Sequence, residues 1–114
     1  MSKDFEIFKK EFTKWQIRFG LTGYRVYFSY EPIGDSFADI EINQGNMVAT
    51  ASLNSRTTDI NKPGKDIKEA AKHEAVHLLI GRLANNGRYR YTSENEMYEA
   101  TEELVNKLEG LIPD

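Results

Sequence analysis

Lys65-Asp66-Ile67-Lys68-Glu69-Ala70-Ala71-Lys72-His73-Glu74-Ala75-Val76-His77-Leu78-Leu79-Ile80 is the stretch on which the reading of this chain turns. Ile67, Ala70, Ala71, Val76, Leu78, Leu79 and Ile80 fall in a helical pattern, which predicts a helix from Lys65 to about Leu83. Asn85-Asn86-Gly87 is turn chemistry and is expected to end it. On such a helix His73 and His77, four residues apart, project from the same face. Two imidazoles so placed can reach one metal ion at about 2.0–2.1 Å. Glu74, one residue along, is rotated away from the pair and can sit beside a water.

Working outward, the residues before this helix read as one helix and a small sheet. Phe5, Phe8, Phe12, Trp15 and Phe19 recur at three- and four-residue steps, an aromatic stripe expected to face the core, and Gly20 stands at the helix stop. Tyr24 to Tyr30 is rich in β-branched and aromatic residues and reads as a strand, followed by a turn at Pro32 and Gly34. Phe37-Ala38-Asp39-Ile40-Glu41-Ile42 alternates apolar and acidic residues, and Met47 to Leu53 alternates again. The turn residues Asn43-Gln44-Gly45-Asn46 between them predict a hairpin. Asn54 to Gly64 reads as a polar loop.

Beyond the His73 helix, Arg88-Tyr89-Arg90-Tyr91-Thr92 is an exposed connector. Ser93-Glu94-Asn95-Glu96 has the form of a capping box and opens a last helix reaching about Leu111. Met97, Thr101, Leu104, Val105, Leu108 and Leu111 lie along one side of it, and Pro113 prevents continuation. The order is an α+β arrangement: helices packed on a three-stranded antiparallel or mixed sheet. At 114 residues, a single domain spanning 1–114 is expected.

Composition removes several classes of function. There is no cysteine, hence no disulfide framework and no thiolate metal site. No apolar run approaches the roughly 20 residues that span a bilayer, and Met1-Ser2-Lys3-Asp4-Phe5 lacks the apolar core of a secretory signal. No membrane association and a cytoplasmic location are therefore expected. The net charge is −3 and the basic residues are scattered, so nucleic acid is not an expected partner.

The chain has two histidines, and both lie in His-Glu-Ala-Val-His. A catalytic zinc ion (Zn2+) takes three protein ligands and keeps one position open. With no further histidine and no cysteine, the third ligand must be a carboxylate. Ile80 and Leu83 stand where an extended metzincin motif needs glycine and histidine. The last helix offers Glu94, Glu96, Glu99, Glu102 and Glu103. Glu94 and Glu96 are accounted for by capping and the helix dipole. Glu102 flanks Val105 at the edge of the apolar stripe and can point toward the neighbouring helix, so it is favoured. Glu99 comes next and Glu103 third. Glu74 is the expected general base of a zinc-activated hydrolysis. Arg88, Tyr89, Arg90 and Tyr91 are candidates for stabilising an oxyanion. Asp59 or Asp66 could orient a ligand histidine, although Asp66 at a helix start is better explained by the dipole.

The stretch His73 to Ile80, followed by Glu102-Glu103-Leu104-Val105-Asn106-Lys107-Leu108-Glu109, resembles small zinc metallopeptidases encoded by phages and prophages, minimal zincins related in outline to SprT-like proteins. The similarity extends weakly to Trp15 and to Ala49-Thr50-Ala51-Ser52-Leu53. It implies a zincin-like α+β fold, zinc as cofactor, a peptide or protein substrate, and a glutamate ligand at Glu102. So short a chain has few cleft walls, and a partner protein could complete the specificity. The alternatives are a zinc hydrolase of another amide and an interaction module, zinc-bound or metal-free, that keeps the motif without the activity.

Overall fold

A computed structural model describes residues 2–56, 64–87 and 93–113, the side chains of 64–66 excepted. Three helices and three strands follow one another as α1 (Lys3–Arg18), β1 (Arg25–Glu31), β2 (Ala38–Asn43), β3 (Val48–Asn54), α2 (Gly64–Gly87) and α3 (Glu94–Leu111). The fold is α+β, as the order of elements predicts.

Local chemistry accounts for the ends of α1. The Ser2 hydroxyl accepts from the Phe5 N–H at 3.2 Å and caps the first turn. At the other end Gly20 takes φ +74°, a left-handed conformation that costs a glycine little. The N–H groups of Gly20 and Leu21 then close back onto the carbonyls of Ile17 and Gln16, which is a Schellman motif. The aromatic stripe turns inward, with Phe8, Phe12 and Trp15 at most 1% exposed. Phe8 and Phe12 meet Phe28 of β1 edge-on, while Phe5 stacks on Tyr30 at 5.0 Å.

The sheet is mixed, in the order β1-β3-β2. β2 and β3 form the expected antiparallel hairpin, with Ile40 opposite Ala51. β1 pairs in parallel with β3 on its other side. The chain therefore crosses past the position of β3 before turning back, which leaves β2 at an edge. Central β3 sends Ala49, Ala51 and Leu53 into the core, where they share a cluster with Ala71, Ala75 and Leu78 of α2. The backbone of α2 comes closest to the neighbouring strand β2, and this places the His73 face beside the edge of the sheet.

Two features differ from the sequence reading. α2 continues through Asn85-Asn86-Gly87 rather than stopping before them. Ala84 is buried, and the Met97 methyl of α3 occupies the space a Gly87 Cβ would fill. Packing across the helix end outweighs the weak helix preference of these three residues. The apolar side of α3 is also used only in part. Thr101 and Val105 are buried, whereas Leu104 and Leu111 are exposed, because α3 packs mainly on α2. At its start the capping box forms in full: Ser93 Oγ accepts from the Glu96 N–H, and Glu96 Oε1 from the Ser93 N–H. Ile112 leaves the helix in an extended conformation, as a residue before proline should. Among the described residues no helix is long and apolar enough to cross a membrane.

Candidate metal centre

α2, α3 and the outer edge of the sheet enclose a cleft of about 730 Å³, bordered by Phe37, Asp39, Glu74, His77, Tyr98 and Glu109 among others. The rim at Ser36 and Phe37 is fixed from behind by a buried side chain. Asn54, at the end of β3, donates through Nδ2 to the carbonyls of Gly34 (3.0 Å) and Ser36 (2.7 Å), and its Oδ1 accepts from the Arg56 N–H. A buried amide satisfied at both ends is a stiff strut, and it delivers the chain into β2 alongside α2.

The helical spacing brings the His73 and His77 rings to a centroid separation of 5.0 Å. Glu102 reaches both. One carboxylate oxygen lies 2.8 Å from His77 Nε2 and the other 3.5 Å from His73 Nε2. One donor atom from each of His73, His77 and Glu102 falls within a set whose members are all within 4.8 Å of one another. Two imidazole nitrogens and a carboxylate oxygen, half-buried at a cleft wall, suit a divalent first-row metal ion. Facing the open cleft, they also leave room for a further small ligand. On these grounds the residues fit a metal.

Glu74 lies beside this group, only 6% exposed. Burial raises the pKa of its carboxyl from 4.5 to about 7; the positive charge available on His73 opposes this, and Asp39, Glu102 and Glu109 add to it. The two histidines diverge. Burial lowers both, but at His73 the hydrogen bond to Glu109 and the charges of Glu74, Glu109 and Glu102 outweigh it and the pKa rises. At His77 burial prevails over the pull of Glu102, and the pKa falls.

Of the glutamates considered from sequence, Glu102 is the one the fold brings to the histidine pair. Glu99 is exposed, and Glu103 pairs with Lys107 at 3.0 Å on the outer surface. Glu96 is engaged in the cap. Asp59, Arg88, Tyr89, Arg90 and Tyr91, and the side chain of Asp66, lie outside the described residues.

Two cleft residues escape the sequence reading. Glu109 meets His73 Nδ1 at 2.5 Å, and its signal was available: it stands seven residues, two helical turns, after Glu102 and so shares its face. Asp39 belongs to the acidic side of the alternating strand, which the sequence assigns to solvent. Only the placement of β2 beside α2 turns it toward Glu74.

No protein-family description matches the chain, and no curated protein is significantly similar to it. In fold it is similar to the metallopeptidase zymogen jannalysin of Methanocaldococcus jannaschii, with a TM-score of 0.50 and 18% sequence identity over 95% of this chain and 96% of that one. At that identity the likeness establishes an α+β fold shared with a metallopeptidase, and no more than the fold.

Proposed function

We propose that this chain is a zinc-dependent peptidase, organised as one domain over 1–114, in which His73, His77 and Glu102 hold the ion and Glu74 is the general base. The observation that carries the reading is the convergence of the three donor atoms within 4.8 Å on the wall of a cleft that also contains the buried Glu74 carboxyl. The shared fold with a metallopeptidase is consistent with it.

When bound, the ion supplies Lewis acidity, which makes a water nucleophilic near neutral pH and polarises the scissile carbonyl. The chain's own residues do the rest. Glu74 takes the proton of the attacking water and later delivers it to the leaving amine. Among the described residues no strand pairs with the outer edge of β2, which borders the cleft and can hold an extended peptide by main-chain hydrogen bonds, adding a strand to the sheet. Asn54 keeps that edge in place.

The test uses purified protein analysed for metal content and assayed on unfolded protein substrates. Stoichiometric zinc, peptide cleavage lost on chelation, and a Glu74→Gln variant that retains zinc but not activity are the expected results. Full activity in Glu74→Gln would remove the general-base role. Zinc binding without hydrolysis of any peptide would leave an interaction module, and hydrolysis of other amides alone would redirect the reading to a different hydrolase.

A further inference from the structure

The second carboxylate at the histidine pair has no part in the function proposed above. Glu102 and Glu109 stand two turns apart on α3, about 10 Å along its axis, and their side chains converge on one imidazole from opposite sides. Glu102 faces His73 Nε2 at 3.5 Å, the same nitrogen type by which it meets His77. Glu109 faces Nδ1 at 2.5 Å, with both partners 24% exposed. The two ring nitrogens of His73 therefore have separate carboxylates. Nε2 points to the space shared with His77 and Glu102, and Nδ1 points away from it. The Glu109 carboxylate is not one of the mutually close donor atoms.

The last turn of α3 is also tied down by the residue before His73. Lys72, itself buried, donates from Nζ to the Ile112 carbonyl at 2.5 Å, and its ammonium lies 4.9 Å from the Trp15 ring centroid. Ile112 in turn closes onto Leu108. The turn carrying Glu109 is thus held against the turn of α2 that carries His73, so the contact between them is fixed from both helices.

We propose that Glu109 is a positioning residue: it accepts the Nδ1–H of His73, fixing the tautomer and orientation of the ring so that the Nε2 lone pair is presented to the ion. A neutral imidazole has one donor nitrogen and one acceptor, and the hydrogen bond at the first decides which nitrogen is left to ligate. A carboxylate in this place also makes the ligating nitrogen more basic. The inference rests on the metal-site reading for its consequence, but not for its first observable, which belongs to the metal-free protein.

The experiment compares wild type, Glu109→Gln and Glu109→Ala, each first shown to be folded by circular dichroism. Nitrogen NMR of the metal-free proteins, at a pH where the ring is neutral, reads the His73 tautomer. Wild type should be held as Nδ1–H, Glu109→Ala should shift to a mixture, and Glu109→Gln, whose amide oxygen still accepts, should stay close to wild type. Zinc affinity is then measured by competition with a chromophoric chelator. Glu109→Ala should bind about 10–100-fold more weakly, with Glu109→Gln between it and wild type. The Co2+-substituted proteins should keep the same visible spectrum, because the ligand set is unchanged. An unaltered tautomer and unaltered affinity in Glu109→Ala would overturn the proposal, as would a cobalt spectrum that changes its form, which would make Glu109 a ligand. A wild type that shows the tautomer but binds no metal would instead overturn the metal-site reading. Should the Ala variant not fold, the tautomer in wild type and the Gln variant decides the matter.

Discussion

Replacing Glu74 by glutamine removes a carboxyl group that the fold desolvates almost completely, and in the metal-free protein this should be stabilising above neutral pH. Burial lifts its pKa from 4.5 to about 7, so the folded protein binds this proton more tightly than the unfolded chain. The associated stability is fully present below about pH 4.5 and is lost as the pH rises to about 7. At about 1.4 kcal/mol per pH unit, that displacement amounts to about 3 kcal/mol. Glutamine has nearly the same shape and no proton to lose, so the variant escapes the loss. His73 also has a raised pKa, and its contribution likewise falls with rising pH. Glu74 is one of the charges that raise this pKa, after the Glu109 hydrogen bond, so this contribution cancels only in part in the comparison. Thermal unfolding in the presence of a chelator, at about pH 5 and about pH 8, is the assay. The Gln variant should gain on wild type between the two, by as much as about 3 kcal/mol or about 10 °C in Tm for a domain of this size. A difference independent of pH would mean that the Glu74 carboxyl does not ionise with the raised pKa its burial gives it.

Glu102→Ala should weaken zinc binding by more than about 100-fold, beyond the usual effect of a residue that only supports a ligand, whereas exposed Glu99→Ala should leave it unchanged; chelator competition distinguishes the two. Asp39→Asn removes a negative charge that raises the pKa of Glu74, so the base ionises at lower pH and the acidic limb of kcat/KM against pH should move down. The movement should shrink as salt is added, and a limb that stays in place or moves up contradicts the geometry. Ser93→Ala deletes the cap of α3 and should cost about 1 kcal/mol in chemical denaturation, with zinc affinity in the folded protein nearly unchanged.

Local chemistry made much of this molecule readable in advance. The aromatic stripe from Phe5 to Phe19, the hairpin around Asn43 to Asn46 and the capping box at Ser93 each involve residues within one or two turns of one another, where spacing alone carries the geometry. The shared face of His73 and His77 belongs to the same class, and so does the position of Glu102 at the border of the α3 stripe. What stayed hidden depends on contacts between distant segments. Nothing in Arg25 to Glu31 announces parallel pairing with β3 instead of a second hairpin. The last turn of α2 exists because Met97 packs across it, against the local preference of Asn85, Asn86 and Gly87. Asp39 reads as an ordinary solvent-facing acid until the sheet edge is placed against α2, and Glu109, although it shares a face with Glu102, gains His73 as its partner only once α3 packs there.

Zinc held jointly by His73, His77 and Glu102 is the core of the proposed function. Anomalous diffraction at the zinc edge from zinc-loaded crystals tests it most directly. One strong peak is expected at about 2.0–2.2 Å from Nε2 of His73, Nε2 of His77 and a Glu102 carboxylate oxygen, with Glu109 remaining on His73 Nδ1. A peak elsewhere on the molecule, or one coordinated by a different carboxylate in place of Glu102, would contradict it.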